Sequence, residues 1–236
     1  MLVLRSALFN AAFFLFTGLC CLSFTLILWL PRRIMVAAQR WWAARVLDLL
    51  RLICGIEWQV RGRHHLPPNP VIIAAKHQSA WDTLVWQSIV GDPAIVMKAE
   101  LMRIPFYGWI CQRTKQIAID RRAGAKALKD MIRAAREARD ATRAIVIFPQ
   151  GTRVAPGAKA PYQPGIAALY RDLGLPVVPV ALNSGLFWGR HSFLRPKGTI
   201  VLELLEPIQP GLDRRTFMAR LEQGIETATA ALCERP

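Results

Sequence analysis

From Ala7 to Leu30 the chain has no charged side chain, and only Asn10, Thr17, Ser23 and Thr25 interrupt the apolar run before Pro31-Arg32-Arg33 closes it. At about 1.5 Å per residue, a helix of this length matches the hydrocarbon thickness of a bilayer. Whatever fold follows must therefore tolerate lipid contact. A cleaved signal peptide is the competing reading, but its apolar region is shorter and a small-x-small cleavage site should precede the arginines. Leu19 ahead of Cys20 also breaks a lipoprotein box. The run is thus expected to remain as an anchoring helix over 7–30, alone or as part of a helical hairpin. Arg32, Arg33, Arg40 and Arg45 follow it, whereas Arg5 and the amino terminus precede it. By the positive-inside rule this asymmetry places the rest of the chain on the cytoplasmic face, of the inner membrane in a bacterial cell.

A second helix is expected over 35–54, where Val36, Trp41, Trp42, Val46, Leu49, Leu50 and Ile53 alternate in helical period with Gln39, Arg40, Arg45, Asp48 and Arg51. Such a helix either lies at the membrane interface or packs on the domain, and tryptophans beside arginines suit lipid headgroups. Residues 1–54 then form an anchor and 55–236 one domain, long enough for a single sizeable core. Thirty-one Lys and Arg against 16 Asp and Glu, a formal net charge of +15, imply an anionic partner. No helix-turn-helix, RRM or zinc-finger pattern supports nucleic acid, so lipid or a phosphorylated substrate is expected instead. Cys20, Cys21, Cys54, Cys111 and Cys233 show neither metal-ligand nor disulfide spacing, and His64-His65 lacks a third ligand, so no metal is expected.

Past Gly55 the hydrophobic period switches repeatedly between short β-rich and longer helical runs, which is the pattern of an α/β chain. Strands are expected at 57–60, 71–75, 94–97, 116–119, 144–148, 177–181 and 199–204. Helices are expected at 81–90, 124–141, 165–173 and 214–233, and a turn at Pro67-Pro68-Asn69-Pro70. Val71 to Ala75 runs straight into Lys76-His77-Gln78-Ser79-Ala80-Trp81-Asp82, so a polar cluster falls where a buried strand ends and a helix begins. Active sites of α/β proteins collect there. On one continuous helix His77 and Asp82 would lie about 140° apart. An elbow, with His77 in the loop and Asp82 in the first helical turn, brings the carboxylate to one ring nitrogen and leaves the other free as a general base. Alternatively the two residues merely satisfy the helix start. Ser79 is a helix-cap residue or a nucleophile, although the chain has no G-x-S-x-G elbow.

His77 to Asp82 reads HxxxxD, and Phe148-Pro149-Gln150-Gly151-Thr152-Arg153 nearly reads FPEGTR. With two further ordered blocks, Lys98-Ala99-Glu100-Leu101 through Ile104-Pro105 and Gly108 to Ile119-Asp120-Arg121, and Val178 to Asn183, the chain resembles the glycerophospholipid acyltransferase family on its bacterial 1-acyl-glycerol-3-phosphate side. The resemblance runs from about residue 57 to 183. It implies a single α/β mixed-sheet domain flanked by helices, of the glycerol-3-phosphate acyltransferase-like kind, behind the N-terminal anchor. It also implies that His77, oriented by Asp82, removes the proton from the free hydroxyl of a lysophospholipid, which attacks an acyl thioester of coenzyme A or acyl carrier protein. No protein nucleophile, cofactor or metal is needed. The acceptor that the resemblance favours is 1-acyl-glycerol-3-phosphate, giving phosphatidic acid.

A phosphate calls for fixed guanidinium groups, which meet it with paired hydrogen bonds. Arg121 and Arg153 are the candidates. Gly151 and Thr152 would offer close backbone approach and a hydroxyl, and Lys98 is a further candidate from its block. Gln150 stands where the family has Glu, and its side chain is expected to anchor the loop through hydrogen bonds. A lyso-ornithine lipid or another lyso-lipid is the alternative acceptor, and a basic membrane-binding protein without catalysis is the alternative class.

Overall fold

Three of the β-rich stretches, Ile72–Ala75, Ile145–Ile147 and Val177–Leu182, have no polar residue, and in the computed structural model, which describes residues 1–68 and 70–234, they are the strands buried along their whole length. Continuous apolar runs of this kind mark strands covered on both faces. In chain order the strands are β1 (Ile56–Arg61), β2 (Ile72–Ala75), β3 (Ala94–Lys98), β4 (Ile117–Ile119), β5 (Ile145–Ile147), β6 (Val177–Leu182) and β7 (Gly198–Leu204). All seven expected strands form, in a single mixed sheet of order β1-β7-β6-β2-β5-β3-β4. Neighbours are parallel except β6 and β7, which run antiparallel.

Alternation along each strand sends side chains to two core layers. Ile73, Val146 and Val178 face a cluster with Phe9, Val46, Leu50, Trp81 and Trp86, whereas Ile72, Ile145 and Val177 face Met131, Ile166, Leu169, Phe217 and Ile225. The first layer belongs to α1 (Leu2–Thr25), α2 (Arg32–Leu49), α3 (Trp81–Leu84) and α4 (Trp86–Ile89). The second belongs to α6 (Ala125–Asp140), α7 (Gly165–Leu173) and α8 (Arg214–Glu234), and α5 (Tyr107–Arg113) lies between β3 and β4 in the chain. The helix expected at 81–90 is two turns: Val85 still donates to the Trp81 carbonyl at 3.2 Å, the Ser88 N–H reaches back only three residues to the Val85 carbonyl at 2.9 Å, and the backbone at Val85 stays right-handed helical at φ −62° and ψ −28°. The turn expected at 67–70 includes Asn69, which lies outside the described residues.

The anchor differs from expectation in register. The first helix covers Leu2–Thr25 rather than 7–30, and 26–30 are successive i to i−3 turns that hand over to α2 at Pro31. The second starts at Arg32 and ends in a π-helical turn, Leu50–Cys54, stopped by Gly55 in the left-handed region at φ +67°. Both ends of α1 are tied down. At the start, Arg5 Nε donates to the Ile53 carbonyl at 2.6 Å and the Arg195 N–H donates to Ser6 Oγ at 2.9 Å, while Phe9 and Phe13 meet Trp188 edge-on. Past its end, Arg113 donates to the Leu30 carbonyl, and Arg32 grips both Asp92 oxygens at 2.7 Å and the Thr114 carbonyl at 2.9 Å. A 24-residue helix is about 36 Å long. That is comparable with the roughly 30 Å width of a seven-stranded sheet. The hairpin thus lies across the domain, and Leu8, Phe14, Leu15, Leu19, Leu22 and Trp29 face outward.

Candidate active site

The elbow forms as the sequence predicts. β2 ends at Ala75, residues 76–80 turn, and Asp82 falls in the first turn of α3. His77 Nδ1 lies 2.9 Å from Asp82 Oδ2. Facing a carboxylate, Nδ1 carries the ring hydrogen and Nε2 is left free. The Asp82 side chain is 0% exposed and that of His77 13%. Two backbone N–H groups, from Gln78 at 2.6 Å and Ser79 at 2.8 Å, also donate to Oδ2, and the hydroxyls of Ser79 at 3.1 Å and Ser184 at 2.5 Å donate to Oδ1. A carboxylate with no access to water needs its lone pairs filled by donors, and here five of them converge on it. Ser79 Oγ also accepts from the Trp81 N–H at 3.0 Å, so this hydroxyl serves the helix start.

Phe148, the last apolar residue after β5, stacks on the His77 ring with centroids 4.1 Å apart. The Val154 N–H donates to the His77 carbonyl at 2.8 Å, which fastens the loop carrying Gly151, Thr152 and Arg153 to the loop carrying the histidine. Gly151 sits at φ +69°, and a Cβ there would come 2.7 Å from the Arg121 guanidinium. Arg121 Nη2 donates to the Gly151 carbonyl at 2.5 Å, while the Gly151 N–H is committed to Phe148 at 2.8 Å. The close approach that this glycine permits is therefore to Arg121 rather than to a ligand. Arg121 and Arg153 are both exposed, and Thr152 is half-buried beside them.

One expectation needs correction. Gln150 is 3% exposed, and neither end of its amide has a hydrogen-bond partner among the described residues, so it does not anchor the loop. Lys98 ends β3 in register with Ile119 of β4, two residues before Arg121, and its exposed side chain makes no ion pair among the described residues. Sequence reasoning missed Ser184 and the stacking of Phe148. Ser184 had a signal: it follows the Val178–Asn183 block, which ends beside the end of β2 once β6 pairs with it. Phe187 and Trp188 are buried in the core, whereas Phe193 is half exposed.

A histidine held by a sealed carboxylate at a strand-to-helix elbow, with Arg153 on the adjoining loop and Arg121 reaching onto it, is a constellation for moving a proton next to an anionic substrate. Residues 57–183 match the family model described as Acyltransferase, and the chain belongs to that family. It is 36% identical over 159 residues to the 1-acyl-sn-glycerol-3-phosphate acyltransferase of Pseudomonas aeruginosa, a match covering 67% of this chain and 62% of that protein. Its identity to the 1-acyl-sn-glycerol-3-phosphate acyltransferase alpha of Mus musculus is 30% over 146 residues, covering 59% of this chain and 51% of that one. The matches thus span only about half to three fifths of these relatives. The crystal structure of the 1-acyl-sn-glycerophosphate acyltransferase PlsC from Thermotoga maritima superposes with a TM-score of 0.82 at 19% identity, covering 100% of this chain and 99% of that one. The fold is the same.

Proposed function

We propose that the protein transfers an acyl group from a thioester of coenzyme A or acyl carrier protein to the free hydroxyl of 1-acyl-glycerol-3-phosphate, giving phosphatidic acid. The observation that carries this reading is the His77–Asp82 pair, its Nε2 free, fastened to the Gly151–Arg153 loop. Nε2 takes the proton of the acceptor hydroxyl as its oxygen bonds to the thioester carbonyl carbon. The C–S bond then breaks, and the departing sulfur takes the proton back from the imidazolium, which restores the base. Asp82 holds the ring and favours its charged form while the proton resides there. Arg121 and Arg153 meet the acceptor phosphate, and Thr152 adds a hydroxyl donor. Holding thioester and hydroxyl together beside the base supplies much of the rate.

The enzyme works at a membrane surface, the inner membrane's cytoplasmic face in a bacterial cell. α1 is long and apolar enough to span a bilayer, with a mean hydropathy of 1.9. Fastened to the domain at both ends, however, it lies in the plane of one leaflet and turns its exposed leucines to the acyl chains. The test is purified protein in phospholipid vesicles, given labelled acyl thioesters and a panel of lysolipids. Phosphatidic acid should form from 1-acyl-glycerol-3-phosphate and should vanish in His77→Ala. Preferential labelling of lyso-ornithine lipid would overturn the acceptor, and full turnover by folded His77→Ala would overturn the base.

A further inference from the structure

Lys76 precedes the histidine and extends β2 by one rung, its N–H donating to the Val180 carbonyl at 2.9 Å. Its side chain is 2% exposed. Nζ bridges both carboxylate oxygens of Glu226 on α8, at 2.7 and 2.6 Å, and the Tyr162 hydroxyl donates to the same carboxylate at 2.8 Å. Tyr162 lies on the continuation of the Gly151–Arg153 loop, where the Gln163 N–H donates to the Pro149 carbonyl at 2.8 Å. Three segments far apart in sequence thus meet at one ion pair, its lysine end buried and its Glu226 end 33% exposed: the strand end that carries His77, the loop that carries Arg153, and the C-terminal helix. The same stretch of α8 is held further along, where Asn183 Nδ2 donates to the Leu232 carbonyl at 3.3 Å.

Taking an ammonium out of water costs several kcal/mol, and apolar residues of similar volume commonly replace a buried ion pair with no loss of stability. Stability therefore does not explain a lysine at this position, whereas geometry does. We propose that Lys76 and Glu226 are positioning residues for acyl transfer: their ion pair, closed by Tyr162, sets the spacing between the His77 imidazole and the arginine-bearing loop. The proposal rests on the His77 reading above and extends the catalytic frame to α8, which lies beyond the residues 57–183 that define the family. Burial, and then the charge of Glu226, push the Tyr162 phenol well above its ordinary pKa, so it stays a donor. A shift of about 1 Å between base and acceptor costs on the order of 10²-fold in rate.

The experiment compares the full chain with Lys76→Met/Glu226→Leu and with Tyr162→Phe, measuring thermal unfolding and acyl-transfer kinetics for acceptor and donor separately. The double variant should melt near the wild type, lose about 10²-fold in kcat and raise the acceptor KM, with the donor KM unchanged. Tyr162→Phe removes one hydroxyl and should lose about tenfold in kcat/KM for the acceptor alone. Wild-type kinetics in a folded double variant would overturn the proposal, as would unchanged kinetics in Tyr162→Phe if the double variant does not fold. Wild-type protein that acylates no lysolipid would instead remove the functional reading, a failure seen before any variant is made.

Discussion

Replacing Asp82 separates its charge from its hydrogen bonds. In Asp82→Asn the amide oxygen can face His77 Nδ1 and the N–H groups of Gln78 and Ser79. The amide NH2 then faces the hydroxyls of Ser79 and Ser184, which rotate to accept. The histidine keeps its place and tautomer, and the variant should fold. What disappears is the attraction between carboxylate and imidazolium. With charge centres about 4 Å apart and an effective dielectric near 20, that attraction is about 4 kcal/mol, or roughly a thousandfold in kcat. Asp82→Ala is a different perturbation. It orphans three buried N–H donors at about 1–3 kcal/mol each, a sum of the same order as the roughly 5–15 kcal/mol that holds a domain together. Urea unfolding should show Asp82→Asn close to wild type and Asp82→Ala largely unfolded, and a labelled-thioester assay should give the thousandfold loss in the former. Asp82→Asn retaining a tenth of wild-type kcat would refute the electrostatic role.

Gly151→Ala would place a methyl on the Arg121 guanidinium at positive φ, so Arg121 is expelled. The acceptor KM should rise about tenfold, with the donor KM unmoved, and equal rises for both would refute the assignment of Arg121 to the phosphate. Burial pushes the Cys111 thiol up to about 11, so at pH 8 it is far less thiolate than in the unfolded chain. Iodoacetamide labelling followed by mass spectrometry should spare it at pH 8 and reach it as the pH approaches 11, and labelling at the denatured rate at pH 8 would contradict the packing of α5. Leu15→Glu with Leu19→Glu puts two charges on the outward face of α1. Flotation should show the protein leaving vesicles with its melting temperature unchanged, whereas retention would show that this face does not meet lipid.

All seven strands could be read from the chain because β-rich runs and helical runs differ in period, and because β2, β5 and β6 are apolar throughout. The His77–Asp82 elbow was legible because its members are five residues apart and a strand-to-helix junction admits few geometries. α5 was not, since Tyr107-Gly108-Trp109 mixes aromatics with a glycine and gives no clear stripe. Ser184 on Asp82 joins residues 102 apart, and Lys76 on Glu226 joins residues 150 apart. Periodicity says nothing about such distances; only the strand order brings them together. The course of α1 across the domain was hidden for the same reason, because its composition suits crossing a membrane and packing along a domain surface equally well. Gln150 failed differently: its type suggested hydrogen bonds, and burial left both ends without partners.

One reversed strand decides where the N-terminal hairpin joins the sheet relative to His77. Because β7 runs opposite to β6, and β1 runs with β7, the chain leaves the anchor at Gly55 and enters the sheet on the same rim at which β2 releases His77. Were β7 parallel to β6, that point of entry would sit at the far rim, a strand's length away from the histidine. As built, the N-terminal hairpin and the histidine share one end of the sheet, so whatever surface the hairpin rests on is also the one beside which His77 stands.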